Sequence, residues 1–354
     1  MEIAVLGGGN GSAAAALDFS AEGHRVRYWR RNAEGVADLN KRNNTLTLKD
    51  HTGEKEVQIA VVTADIEEAV SGAALIVCPT PATAQPDIAQ AMAPFLKDGQ
   101  VIYLPPGTFG SVLMAQIIRD AGNRADITLA EAGTLPYLTR KHGADTVAVT
   151  TRATRLPSGI FPRRNAEHAL KVIAQAYPSV EDCGDGLSGA LMNAGPIIHP
   201  PLILMNAGPI EHFDHWDIHN EGTQPAIRRV TTRLDGERMA LREALGYGAP
   251  HFPLADHYDP DGEEWMYGNA AHEKLTDSGD WRENLVREDV ACGLAFLVSV
   301  GDWAGVPVPT ARGLLAVASA ICDTDFEQTG RTLGSMGLAD LSRAQMKALL
   351  QEGL

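Results

Sequence analysis

Hydrophobic and polar positions follow two different patterns along this chain. Through the first half the apolar residues gather in short continuous runs, at Glu2–Leu6, Val26–Trp29, Ala74–Cys78, Val101–Leu104, Ile127–Glu131 and Thr146–Thr150. Runs of that length, rich in Val, Ile and Leu and bounded by Gly, Pro or polar clusters, predict buried strands. Between them Ala13–Ala21, Ile66–Val70, Ile88–Phe95 and Ser111–Ala121 fit helices, and Thr45–Leu48 and Val57–Val62 read as a strand pair. Strands alternating with helices predict a parallel sheet covered on both faces. The pattern changes near Cys183-Gly184-Asp185-Gly186. Beyond it, Leu187–Met192, Pro201–Met205, Gln224–Leu245, Arg287–Ala304 and Ala311–Ile321 take helical spacing. The expected organisation is an α/β domain over residues 1–184 and an all-α domain over residues 185–354. A chain of 354 residues is long for one core, which agrees with two.

The opening strand runs into Gly7-Gly8-Gly9-Asn10-Gly11-Ser12, and a small-residue helix follows until Gly23 stops it. Glycine at 7 permits a tight turn, and glycine at 9 lets the backbone approach a pyrophosphate. The helix N-terminus then offers unpaired N–H groups and a positive dipole end to phosphate. A glycine loop placed between a strand and a helix reads as the dinucleotide-binding unit of a Rossmann domain. Ligands of such sheets lie beyond the carboxyl ends of the strands. The loops at 7–12, 79–82, 105–107 and 131–137 are therefore expected to line one crevice. Gly7, Gly9, Asn10, Gly11, Ser12, Pro79, Thr80 and Pro106 are the candidate cofactor contacts.

An NAD site usually carries an acid about 20 residues past the loop, where it accepts from the ribose hydroxyls. Here the stretch is Tyr28-Trp29-Arg30-Arg31-Asn32. Guanidinium groups suit a 2′-phosphate through charge-assisted, bidentate bonding, so Arg30 and Arg31 favour NADP(H), with NAD(H) the alternative. Two solvated arginines are the plainer reading. The rest of the chain is acidic, with a net charge of −15. That balance argues against nucleic acid or an anionic membrane as partner. With the first strand starting at residue 2, neither a signal peptide nor a transmembrane run is expected. Four scattered cysteines fit a reducing cytoplasm.

The helical half must then supply a proton donor. His199 sits in the apolar stretch Ile197-Ile198-His199-Pro200-Pro201, where a polar ring needs a partner; a structural histidine and a catalytic one are equal readings. Asp289, at the front of an apolar helix, is either a helix-start acid or the carboxylate that orients a histidine. Glu211-His212-Phe213-Asp214-His215-Trp216-Asp217-Ile218-His219 has histidines without zinc spacing, so no metal is expected. Its interleaved aromatics suit a substrate-lining or lid segment better. The hexapeptide Met192–Ile197 recurs as Met205–Ile210, which reads as coincidence or as matched helix breaks at Gly-Pro.

Several motifs, in order across both halves, resemble the octopine/nopaline (opine) dehydrogenase family. They are Gly7-x-Gly9-Asn10-Gly11 and Glu131-x-x-Thr134-Leu135-Pro136-Tyr137. His199-Pro200-Pro201, Asn206-Ala207-Gly208-x-Ile210-Glu211 and Glu221-Gly222-Thr223 continue the series. Asp235-Gly236-Glu237-Arg238, Glu288-Asp289-Val290 and Ala304-Gly305-Val306-Pro307-x-Pro309-Thr310 complete it.

The resemblance implies a Rossmann domain followed by a helical domain of the 6-phosphogluconate-dehydrogenase-like type. It also implies reductive condensation of an amine or amino acid with an α-keto acid such as pyruvate, through an imine. His199 would be the general acid/base and Asp289 its orienting partner. Thr134, Tyr137, Asn193 and Asn206 would meet substrate, the two asparagines having structural hydrogen bonding as an equal alternative. Family members place a basic residue five positions before the dyad aspartate; this chain has Asn284 there, flanked by Arg282 and Arg287. The carboxylate clamp is thus displaced, with Arg287 a candidate, or the amine differs. A homodimer is expected. The rival readings are a ketone or 2-keto acid reductase of the ketopantoate or glycerol-3-phosphate dehydrogenase type and, more remotely, a cofactor-sensing protein without turnover.

Overall fold

The computed structural model describes residues 1–218, 220–254 and 286–354, without the side chains of Val286 and Arg287. The chain forms two compact units. The first is Met1–Ala190 together with Leu349–Leu354, and the second begins at Leu191 and ends at Ala348.

The first unit opens with strand β1 (Glu2–Leu6), helix α1 (Asn10–Ala21), strand β2 (Arg25–Trp29) and helix α2 (Ala33–Lys41). Next come β3 (Thr45–Asp50), β4 (Gly53–Gln58), β5 (Val61–Thr63), α3 (Ile66–Val70), β6 (Leu75–Val77) and α4 (Gln85–Met92). β7 (Val101–Leu104), α5 (Gly110–Asp120), β8 (Thr128–Ala132), β9 (Tyr137–His142) and β10 (Thr146–Arg152) follow. The unit's helical and strand elements continue with β11 (Leu156–Phe161), α6 (Ala166–Ile173), β12 (Val180–Asp185) and α7 (Gly186–Ala190). Among the described residues the main sheet has the order β12-β11-β8-β7-β6-β1-β2-β5. Every pairing in it is parallel except that of β11 with β8. β1, β6 and β7 are almost wholly apolar, as strands buried on both faces must be.

The predicted parallel sheet is therefore present, with one antiparallel pairing. A second sheet was not foreseen: β4-β3-β10-β9, in which β3 pairs parallel to β10 and antiparallel to β4. It changes two expectations. Val57–Val62 is not one strand, because β4 stops at Gln58 in the small sheet and β5 starts at Val61 in the large one. Thr146–Thr150 likewise belongs to the small sheet rather than the large one. Leu46, Leu48, Val57, Val147 and Val149 turn inward from it and join the core with Ala13–Leu17 of α1. Helix α2, absent from the expectations, is nucleated by Asn32, whose side chain accepts from the backbone N–H of Glu34 and Gly35.

The second unit is helical in its described residues: α8 (Gly195–Leu204), α9 (Ala207–His212), α10 (Pro225–Ala244), a π-helix at Val286–Leu294, and further helices at Ala295–Ala304 and Pro309–Ile321. The repeated hexapeptide proves to be a pair of helix starts rather than breaks, since Gly195-Pro196 and Gly208-Pro209 lie in the first turns of α8 and α9. Proline is tolerated there because its missing N–H has no partner in a first turn. A buried ion pair pins α10: Arg238 Nε donates to Asp235 Oδ1 at 2.7 Å, and its Nη atoms donate to the carbonyls of Leu191, His251 and Phe252.

Candidate active site

In the first unit the strand ends bring the expected loops together. Gly7 has φ +126, a conformation glycine tolerates, and a Cβ there would lie 2.5 Å from Ser12 Oγ and 2.6 Å from Thr80 Cγ2. Gly9 faces open space, so nothing obstructs approach to its backbone. A Cβ on Gly11 would lie 2.7 Å from Leu135 Cδ1, which brings the 131–137 loop against α1. Gln85 Nε2 donates to the Gly107 carbonyl at 3.0 Å, joining the 79–85 stretch to the 105–107 loop. Gly7, Gly9, Asn10, Gly11, Ser12, Pro79, Thr80 and Pro106 therefore all lie at the carboxyl ends of the adjacent strands β1, β6 and β7. The Thr80 hydroxyl is buried and has no hydrogen-bond partner. Such an atom fits an arriving polar ligand.

Glu131 organises the floor of these loops. It is fully buried, accepts from the Phe109 N–H at 2.7 Å and the Ser111 N–H at 3.4 Å, and also bonds the Ser111 hydroxyl. Thr108 and Phe109 are held left-handed, at φ +54 and +61, an unfavourable region for side chains of their size. Gly107 packs so closely that a Cβ would lie 2.2 Å from Glu131 Cβ. Glu131 was visible in the sequence only as a motif letter, because the strained turn it holds has no local signature.

The two arginines after β2 part company. Arg30 turns back over the glycine loop, its Nη1 donating to the Gly35 carbonyl at 3.0 Å, while its Nε is buried without a partner. Arg31 points away and is largely exposed, 3.5 Å from Asp87. Lys141, on β9, was not foreseen: its Nζ donates to the Gly8 carbonyl at 2.6 Å and its N–H to Asn10 Oδ1 at 3.1 Å. Asn10 thus spends its side-chain oxygen inside the protein. Tyr137 is buried in the aromatic core, its ring 6.1 Å from that of Tyr177, and Thr134 is half-buried on the loop before β9.

In the second unit His199 and Asp289 meet. His199 Nδ1 donates to Asp289 Oδ2 at 2.8 Å, since a carboxylate only accepts, which puts the lone pair of a neutral ring on Nε2. The side chain of His199 is 32% exposed and that of Asp289 8%, so only the imidazole is open to a reactant. Desolvation pulls the imidazole's pKa down, but the Asp289 charge, its hydrogen bond and the Glu288 charge outweigh it, leaving His199 above its ordinary 6.5. Two glycines allow the approach. A Cβ on Gly195 would lie 2.5 Å from Asp289 Oδ1, and one on Gly293 2.2 Å from Pro196 Cγ. The π-helix carries both Asp289 and Gly293 against α8; such wide turns are frequent at functional sites.

Gly293→Ala should therefore force the π-helix off the Pro196 ring. We expect a loss of about 1–3 kcal/mol in stability, the usual scale of overpacking, visible as a lowered melting temperature. Turnover should fall with it.

Asn193 Oδ1 accepts from the Gly195 N–H at 3.0 Å and so lies at the start of α8, beside the dyad. Asn206 is committed to structure: its Nδ2 donates to the carbonyls of Leu202 and Gly222, and its Oδ1 accepts from Trp216 Nε1. Phe213 stacks on Trp216 with centroids 5.6 Å apart, and His212 packs edge-on against Phe213. His219, Arg282, Asn284 and the side chain of Arg287 lie outside the described residues. Among the described residues no group of three or more His, Cys, Asp or Glu is placed to hold a metal ion. None of their helices is long and apolar enough to cross a membrane.

Residues 182–322 match the family described as NAD/NADP octopine/nopaline dehydrogenase, alpha-helical domain, and residues 2–129 match the NAD-dependent glycerol-3-phosphate dehydrogenase N-terminus. The chain is similar to an opine dehydrogenase of Arthrobacter sp. (strain 1C), at 27% identity over 98% of each chain. Among solved structures it is similar to octopine dehydrogenase in complex with NADH and agmatine, with a TM-score of 0.72 and 21% identity over 100% of this chain and 98% of that one. Yersinopine dehydrogenase with NADP+ bound also shares the fold, with a TM-score of 0.64 and 16% identity over 99% and 97%.

Proposed function

We propose that the chain is an opine dehydrogenase, an NAD(P)-dependent oxidoreductase acting on CH–NH groups that joins an amine or amino acid to an α-keto acid such as pyruvate, a reading supported by the match of its helical half and by its similarity to opine dehydrogenases. The observation that carries the reading is the 2.8 Å bond between His199 Nδ1 and Asp289 Oδ2, with the imidazole side chain partly exposed. We take residues 1–184 as the cofactor domain and 185–354 as the domain that presents the acid–base pair.

Neutral His199 takes a proton from the substrate ammonium at Nε2, freeing the amine to attack the keto carbon. A second proton passes from the nitrogen to the alkoxide formed on addition, and the imidazolium returns the first to the resulting hydroxyl, which leaves as water. Two hydrogens thus depart from the ammonium nitrogen, and a protonated imine remains. When bound, the nicotinamide supplies the hydride that reduces the imine to a secondary amine. Asp289 keeps Nδ1 protonated, so that Nε2 does the exchanging, and its charge stabilises the imidazolium between the two steps. Asn193, beside the pair, is a candidate contact for the substrate carboxylate.

The residues present fit a dinucleotide. Gly9 leaves the approach to the N-terminus of α1 clear, Gly7 and Gly11 let Thr80 and Leu135 pack close to the loop, and the orphaned Thr80 hydroxyl awaits a partner. Arg30 and the absence of an acid after β2 support NADP(H), and a fold relative binds NADP+. The match of residues 2–129 to glycerol-3-phosphate dehydrogenases keeps one rival, a carbonyl reductase that needs no amine.

A cofactor-oxidation screen separates them. Pyruvate and other keto acids are tested with and without a panel of amines, using NADPH and NADH in turn. The proposal expects oxidation only when both substrates are present, faster with NADPH. Oxidation by a keto acid alone, unchanged by amine, would sink it.

A further inference from the structure

A cavity of about 490 Å3 opens beside the glycine loop in the first unit, between α1, β2, α2 and the β9–β10 hairpin. Four cations line it: Arg30, Lys41, Arg42 and Lys141. Two are already neutralised, Lys41 by Asp38 at 3.0 Å and Arg42 by Asp145 at 2.8 Å. Arg30 and Lys141 have no carboxylate within ion-pair distance among the described residues. Both instead close on the same glycine. Lys141 Nζ bonds the Gly8 carbonyl, and a Cβ on Gly8 would lie 3.6 Å from Arg30 Nε. Two buried polar atoms on the cavity wall have no partner, Arg30 Nε and the Tyr28 hydroxyl.

We propose that Lys141 is the second cation of a 2′-phosphate site whose first is Arg30, so that β9 of the small sheet, and not Arg31, completes the recognition of NADP(H). The inference rests on the NADP(H) reading above. A dianionic phosphomonoester asks for two positive donors and further hydrogen bonds; Arg30 and Lys141 supply the donors, while the two carboxylates that line the cavity, Asp38 and Asp145, are paired with Lys41 and Arg42. Burial and the nearby Arg30 charge lower the Lys141 pKa, as expected of two like charges held together with no anion between them. Arg31 is turned out toward Asp87 and does not line the cavity. The backbone bond from Lys141 N–H to Asn10 Oδ1 fixes the lysine against the loop that takes the rest of the dinucleotide.

Equilibrium binding tests this without turnover. Adenosine 2′,5′-bisphosphate and adenosine 5′-monophosphate are titrated calorimetrically into the wild type, Lys141→Met and Lys141→Arg, with melting temperatures recorded for each. Methionine keeps the apolar stem and removes the charge. A charge-assisted bond is worth about 1.5–3 kcal/mol, so Lys141→Met should weaken the bisphosphate about 10- to 100-fold and the monophosphate less than about two-fold. Lys141→Arg should retain most of the preference. Equal losses for both ligands, or none for the bisphosphate, would overturn the role of Lys141 while leaving the NADP(H) reading intact. A wild type that binds the two ligands equally would overturn the reading itself, and the inference with it.

Discussion

Replacing His199 by alanine is expected to lower turnover about 10²–10⁴-fold while leaving cofactor affinity within a factor of about two. The loss follows from removing the group proposed to move protons at the reacting centre. Binding is spared because His199 belongs to the helical unit, whereas the glycine loop and Arg30 belong to the other. Steady-state kinetics together with fluorescence titration of the reduced cofactor would measure both. Full activity in this variant would end the acid–base assignment. Equal loss of activity and cofactor affinity would point instead to a folding defect, which a melting curve would reveal.

Asp289→Asn should lower turnover by a comparable factor, about 10²–10⁴-fold, and should also move the pH profile. In the oxidative direction His199 must be neutral to accept a proton, so activity falls as pH drops through its pKa. The Asp289 charge and hydrogen bond hold that pKa above 6.5 against desolvation, which pulls it down. Without the charge, desolvation is opposed only by Glu288, and the acid limb moves to lower pH. The asparagine amide also favours the wrong tautomer, since its nitrogen donates where a carboxylate accepts. An unmoved acid limb beside a large loss of turnover would leave Asp289 a role in shape alone.

Legibility followed the range of the interactions. Glu2–Leu6, the glycine loop and the helix over Ala13–Ala21 were readable because strand, turn and helix are written in adjacent residues. His199 and Asp289 were each visible as a polar residue in apolar surroundings, but the contact between them depends on Gly195 and Gly293 admitting two distant helices. The small sheet was hidden for a similar reason. Its strand β4 is Gly53-Glu54-Lys55-Glu56-Val57-Gln58, mostly exposed, and β3 finds its parallel partner in β10 a hundred residues later. With that pairing unseen, Lys141 was an unremarked lysine in a polar strand, and the neighbouring pair Arg30-Arg31 seemed to hold both cations. For Asn206 the structure shows the hydrogen-bonding alternative, with Trp216, Leu202 and Gly222 on its amide, and it buries the Tyr137 ring beside Tyr177, neither of which a motif position reveals.

The buried Glu131 carboxylate beneath Thr108, Phe109 and Ser111 has a consequence for affinity. A loop of that length, free in solution, would lose about 1–2 kcal/mol of backbone entropy for every residue a ligand had to order. Here the left-handed turn is frozen when the chain folds, by a side chain that accepts from the Phe109 and Ser111 N–H groups. Whatever docks at the ends of β7 and β8 meets preorganised walls, and its binding energy is not diminished by arranging them.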